Sequence, residues 1–203
     1  LRMYGLSPSE ALSLYGVFTG MALPCILFPS TVTSSASVIL MPSVAEMQAL
    51  GHRRKIRYIT RTTCAALYPS RIFMHTVFYF GGNFAGTILF HNTDAGLYIR
   101  TLSFICPFLY TNIALTSILN GLGKTGTTLV HSVLGILLRI SFVIFAIPVL
   151  GIRGYLYGLL LSEILLSLLH IYALYHYGIL AITHGNFIKF CVKYITFLST
   201  TTF

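Results

Sequence analysis

Residues 133–150 read Val-Leu-Gly-Ile-Leu-Leu-Arg-Ile-Ser-Phe-Val-Ile-Phe-Ala-Ile-Pro-Val-Leu, with Arg139 as the single charge. A helix needs about 20 apolar residues to cross a hydrocarbon core of about 30 Å, and this run comes close to that length. It does not alternate polar and apolar positions, so it does not fit a strand of a membrane barrel. A helix is the expected form, because in lipid every backbone N–H and C=O must be satisfied within the segment. The rest of the chain has the same character. Its 203 residues are 56% hydrophobic and 8% charged, with mean hydropathy +0.83, whereas a soluble domain carries roughly 25% charged residues. The reading is an all-α integral membrane protein: one membrane domain over 1–203, a polytopic bundle of about five full transmembrane helices and a truncated sixth.

Outward from that run, the first predicted helix covers 15–49, where Pro24, Pro29 and Pro42 imply a broken or tilted crossing. A basic loop, 50–58, follows with His52, Arg53, Arg54, Lys55 and Arg57, and Arg61 lies just beyond. Clustered Lys and Arg mark cytoplasmic loops, so this loop is placed inside. The next helix, 59–79, exits to a stretch, 81–94, that has no Lys or Arg and is placed outside. Helix 97–119 returns to the turn Asn120-Gly121-Leu122-Gly123-Lys124-Thr125-Gly126, helix 128–150 goes out to Gly151-Ile152-Arg153-Gly154, and helix 155–177 comes back. A sixth helix starts in 187–203 and is cut off by the end of the sequence. With no initiator Met and an apolar end, the chain is expected to be a fragment of a longer protein.

The net charge of +9 is therefore read as membrane sidedness, with membrane lipids as partners and no nucleic acid. Cys25, Cys64, Cys106 and Cys191 form no C-x-x-C pair and have no His at zinc-ligand spacing, so no metal and no cofactor are expected. Gly121-x-Gly123-x-x-Gly126 matches the dinucleotide formula, but its flanks are membrane helices where that formula needs a strand in a βαβ unit. A tight helix-to-helix turn accounts for it. No Ser/His/Asp or Cys/His arrangement stands out, so no catalytic residue is assigned and no enzyme is expected.

Three features carry candidate chemistry. Ser30, Thr33, Ser34 and Ser37 recur at i, i+3, i+4 and i+7 and line one helix face at mid-crossing. They serve either close helix packing or the wall of a wet cavity. Charge inside the bilayer costs roughly 2.5–3.5 kcal/mol on insertion scales and so needs a partner or water. Arg139 precedes the Gly151 turn by as many residues as Glu163 follows it, which puts both roughly 18 Å along the helix axis from the turn. They are expected to face each other, as a structural ion pair or as a coupling site. Arg71 has no carboxylate at matching depth, and His75 lies one turn along on the same face. A guanidinium facing water suits phosphate; snorkelling, or a partner on a helix outside this sequence, is the alternative. Gly16-x-x-x-Gly20, Gly82-x-x-x-Gly86 and Gly154-x-x-x-Gly158 are expected helix contacts.

The runs Leu14-Tyr15-Gly16, Gly20-Met21-Ala22-Leu23-Pro24, Thr33-Ser34-Ser35 and Leu40-Met41-Pro42-Ser43-Val44-Ala45-Glu46 resemble the polysaccharide-export branch of the multidrug/oligosaccharidyl-lipid/polysaccharide flippase superfamily. Ile118 to Lys124 resembles that family's inside turn, and Gly151-Ile152-Arg153-Gly154-Tyr155 its outside turn. The family often has Ser before the acid of its Pro-x-x-Ser-Glu motif, where this chain has Ala45; Pro42 and Glu46 are kept. The resemblance implies the second lobe of a two-lobe flippase in a bacterial plasma membrane, with the N-terminal lobe of the same protein as its missing partner. The implied substrate is an undecaprenyl-pyrophosphate-linked saccharide, a peptidoglycan precursor or polysaccharide repeat unit, moved by alternating access. Pro42 and Glu46 would close the cytoplasmic end of the first helix as a gate or packing element, and Arg71, His75 and the hydroxyl stripe would form part of the cavity. A drug or cation antiporter of the same superfamily, and a truncated membrane remnant without activity, are the alternatives.

Overall fold

The computed structural model describes residues 5 and 7–179. Ser7 opens α1 (Pro8–Val17) with a reciprocal capping box to Glu10. A π-helical turn at Phe18–Ala22 joins α1 to α2 (Leu23–Leu27). Pro24 has no N–H to continue the i→i−4 ladder, and the Leu23 N–H instead reaches back five residues to the Phe18 carbonyl. The chain then runs through α3 (Ser30–Ala49), α4 (Arg53–Leu89), α5 (Thr93–Leu102), α6 (Cys106–Gly121), α7 (Thr125–Phe145), α8 (Ile147–Leu150) and α9 (Ile152–His176). No strand occurs among the described residues.

Along α7 burial is inverted relative to a helix at the surface of a protein in water. On α7 the buried residues are Thr128, His131 and Gly135, whereas Leu129, Val130, Ile136, Leu137, Ile144 and Phe145 are exposed. Polar groups turned inward and apolar ones turned outward are stable only against lipid. The chain is a membrane-embedded helical protein.

The number of full spans is smaller than the sequence implies. Among the described residues three helices are long and apolar enough to cross: Pro8–Leu27, Thr125–Phe145 and Ile152–His176. A fourth is reached if α5 and α6, which meet at 51°, act as one broken span. The predicted first helix, 15–49, is two pieces split around Phe28 and Pro29. Its second piece, α3, carries Ser30, Thr31, Thr33, Ser34, Ser35 and Ser37, too many hydroxyls for an apolar span. The predicted 59–79 helix lies inside the 37-residue α4, which begins at Arg53 and so takes in most of the expected loop 50–58, and which Arg71, His75 and Asn83 dilute in the same way. The expected loop at 81–94 is helical up to Leu89. Its glycines accept α5: a Cβ on Gly86 would lie 2.3 Å from the Gly96 backbone nitrogen. The predicted helix at 187–203 lies outside the described residues.

Two apolar clusters hold the bundle, one toward each end of α6. The first joins Phe18, Ala22 and Ile26 to Tyr98, Ile99, Leu102, Cys106, Tyr110 and Leu156. The second joins Val44 and Ile56 to Leu115, Ile118, Leu119, Ile171 and Leu174. Along α6 and α9 the residues between them are polar: Thr111, Asn112, Ser162, Glu163, Ser167 and His170 are all buried. At the end of α6 the Lys124 N–H bonds back to the Leu119 carbonyl and Gly123 takes φ +73, a Schellman stop that only glycine adopts without strain.

Candidate functional site: a polar layer and its cleft

The middle layer is built on the α7–α9 hairpin. Gly151, at φ 62 and ψ −139, lets the chain reverse, and Gly154 and Gly158 then bring α9 against α7 and α8. A Cβ would stand 2.7 Å from the Ala146 carbonyl carbon at Gly154 and 2.6 Å from Phe142 Cβ at Gly158. This register brings Arg139 and Glu163 together: an Arg139 Nη2 hydrogen donates to Glu163 Oε1. Arg139 Nε donates to Ser162 Oγ at 2.7 Å. From α6, Asn112 Nδ2 donates to the other carboxylate oxygen, Oε2, at 2.7 Å and to the Glu163 carbonyl at 3.0 Å. Both oxygens of the carboxylate are therefore engaged, which compensates a charge held away from water. Asn112 Oδ1 is buried without a hydrogen-bond partner.

Beside this layer lies an open cleft of about 510 Å³ between α3, α6 and α9. Its polar lining is Ser34 and Ser37 from α3, Asn112, Thr116 and Ser117 from α6, and Glu163 from α9. The hydroxyl stripe is thus divided. Ser34 and Ser37 face the cleft, Thr33 is buried outside its lining, and Ser30 donates to the Leu27 carbonyl at 2.6 Å.

Arg71 and His75 do not line this cleft. Arg71 is buried on α4, next to the Cys64 sulfur, and its Nε and Nη2 have no hydrogen-bond partner. His75 Nδ1 lies 3.0 Å from the Ser103 carbonyl at the α5–α6 break. A side chain thereby serves a backbone group that the break takes out of the helical ladder, as membrane helices require. Pro42 sits within α3 and Glu46 is exposed near its end. Beside Pro42, Gly121 of α6 packs so closely that a Cβ would stand 2.6 Å from the Met41 carbonyl oxygen and 2.8 Å from Val44 Cβ.

Asn112, Ser162 and the buried pair His131 and His170 were not singled out from the sequence. A signal for the histidines existed, since they stand 20 residues before and 19 after Gly151, the same equal-depth rule that pairs Arg139 with Glu163. Asn112 had none, because an uncharged amide in an apolar helix resembles many packing residues.

Two curated proteins of Bacillus subtilis (strain 168) match this chain. Stage V sporulation protein B is 24% identical over 173 residues, which is 84% of this chain and 33% of the relative. Sporulation protein YkvU is 24% identical over 172 residues, 82% of this chain and 38% of the relative. The chain is a distant homologue of both. Both are in the family that its helix and turn motifs resemble. The chain spans about a third of the length of these relatives. No family model matches it, and no solved structure does.

Proposed function

We propose that this chain is part of a membrane flippase that moves an undecaprenyl-pyrophosphate-linked saccharide across a bacterial plasma membrane by alternating access, with the basic segment 50–58, the turn before α4 and its first residues, inside. The observation that carries this reading is the cleft at mid-bundle, where hydroxyls, an amide and a charge-neutralised carboxylate meet apolar walls. A saccharide presents many hydroxyls and needs both donors and acceptors along its path, while its lipid tail stays in the bilayer. Ser34, Ser37, Thr116 and Ser117 offer both. Arg71, with two unpartnered guanidinium nitrogens, is the candidate for a phosphate, at a position separate from the cleft. The distant homology to Stage V sporulation protein B supports transport at family level. A lobe preceding this segment would complete the path.

A drug or cation antiporter needs a free acidic site. Glu163 is the one acid lining the cleft, and Arg139 and Asn112 occupy both of its oxygens, which favours the saccharide reading. The test is a flipping assay on the full-length protein in liposomes with a labelled lipid-linked saccharide. Ser37→Leu, which fills the cleft without touching the ion pair, is expected to slow flipping about tenfold at equal expression, and Arg71→Ala to weaken it independently. Wild-type rates in Ser37→Leu would overturn the cleft as the path.

A further inference from the structure

The α7–α9 hairpin holds a second buried polar pair that the proposed flipping path does not use. His131 is 8% exposed and His170 0%, and their ring centroids stand 5.1 Å apart at an interplanar angle of 56°. Neither nitrogen of His170 has a hydrogen-bond partner, nor does Nδ1 of His131. Each buried, unmade hydrogen bond costs about 1–3 kcal/mol, and in the apolar interior of a bundle no water is assured to relieve it. A neutral imidazole has one donor and one acceptor nitrogen, whereas an imidazolium has two donors. Two facing imidazoles can share one N–H···N bond, and a proton added to the pair makes that bond charge-assisted and stronger while spreading the charge over both rings.

The spacing suits that bond. Imidazoles joined by an N–H···N bond of about 2.9 Å have centroids roughly 5 Å apart, so rotation about the side-chain torsions is enough to align the nitrogens. A metal is a poorer fit, because among the described residues no third His, Cys, Asp or Glu completes a ligand set.

The charged and titratable surroundings are sparse. Toward one end of the hairpin the Arg139–Glu163 pair lies eight and seven residues along, about 10–12 Å away, and its opposite charges largely cancel at that distance. Toward the other end Thr128 Oγ1 donates to Asn120 Oδ1 at 2.8 Å. Beyond it, Lys124 Nζ stands 4.9 Å over the Tyr177 ring, with His176 beside Tyr177 and Arg57 donating to the Gly178 carbonyl. Helix α6, packed against both α7 and α9, has no Asp, Glu, Lys, Arg or His. Its Cys106 and Tyr110 belong to the far apolar cluster. Helix α8 has no titratable side chain. Asp94 of α5 lies near Tyr98 and Arg153, toward the Gly151 end of α9, and Arg100 of α5 lies over the Tyr79 ring of α4. No carboxylate within the pair's own layer competes for the proton.

We infer that His131 and His170 form a proton-binding site, in which the pair takes up one proton from solvent and holds it between the two rings. Only an N–H bond forms; the second nitrogen lone pair accepts the hydrogen bond, and the pair gains one positive charge. A second proton would place two positive charges in contact and is refused. The site stands independently of the saccharide reading. If transport is confirmed, it offers a route by which proton occupancy biases the hairpin.

The test is solid-state NMR of the full-length protein in liposomes with ¹⁵N-labelled histidine, titrated over roughly pH 5–8, the range in which histidine changes charge. The wild type is expected to show one protonated and one neutral ring joined by an N–H···N coupling, with one proton taken up by the pair. In His131→Gln or His170→Gln, the remaining ring is expected to bind its proton at least tenfold more weakly. Two rings that stay neutral down to pH 5 in the wild type would overturn the site. So would a remaining ring that titrates at an unchanged midpoint in a folded single variant. The wild-type spectrum decides the matter even where a variant does not fold.

Discussion

Glu163 shows how one buried carboxylate organises three helices. It binds Arg139 from α7 and Asn112 from α6, so removing it leaves a guanidinium and an amide facing each other inside the bundle. Breaking a buried pair by removing one partner costs about 3–5 kcal/mol. Arg139 is more accessible, with 37% of its side chain exposed against 10% for Glu163, so Glu163→Gln is expected to cost about 2–3 kcal/mol. Reversing both charges, Arg139→Glu with Glu163→Arg, should recover at least half of the loss of either single reversal. Asn112 can turn its amide so that Oδ1, now without a partner, accepts from the relocated guanidinium. Unfolding measured by steric trapping in bilayer discs checks this. A double reversal no more stable than either single one would mean the pair contributes nothing.

At the scale of elements, three glycine motifs look alike in the sequence and differ in the bundle. Around Gly86 and Gly154 a Cβ would collide with backbone, at 2.3 Å and 2.7 Å, while around Gly16 and Gly20 nothing lies within 4 Å. Gly86→Ala and Gly154→Ala are therefore expected to destabilise by about 1–3 kcal/mol through overpacking. Gly16→Ala should be neutral or gain up to about 1 kcal/mol of helix propensity. The same steric-trap measurement compares them, and equal effects at all three positions would contradict the contacts. Small-xxx-small spacing marks a helix able to approach another closely; whether a neighbour is there depends on where the next helix crosses. The breaks within the helices were partly legible for the same reason. Pro24 and Pro29 forecast an interruption in the first predicted helix. Beside the hydroxyl stripe they also pointed to a cavity wall, which Ser34 and Ser37 form; they did not forecast which helices would face it, because a proline states where a ladder is broken and not which way the chain turns.

At the scale of the molecule, the ends of α3, α6 and α9 meet the starts of α4 and α7 at one side. Arg57 donates to the Gly178 carbonyl there, and Lys124 covers Tyr177. The opposite side holds the α7–α9 turn at Gly151. In a background with native cysteines replaced, single cysteines at Arg54 and Lys124 are expected to react with a membrane-impermeant thiol reagent from the same face, and one at Arg153 from the other. Labelling of all three from one face would refute the arrangement. Side chains singled out for function also explain the span count. The hydroxyls of α3, and Arg71 and His75 of α4, are what keep those helices from reading as simple apolar spans, so the polarity that points to a path also blurs the topology.

Class and depth were readable from residue order alone. An 18-residue apolar run requires a helix in lipid, and position along a helix follows from a constant rise of about 1.5 Å per residue, so Arg139 and Glu163 could be matched across a turn by counting. Direction around the helix and the identity of the third partner were not readable. They depend on the 51° bend between α5 and α6, on the close approach at Gly154 and Gly158, and on the crossing of α3 with α6. Only those tertiary relations brought Asn112 to Glu163, divided the hydroxyl stripe between cleft and packing, and set two histidines face to face. Rise per residue is a local property of the backbone, whereas lateral neighbours are chosen by the packing of whole helices.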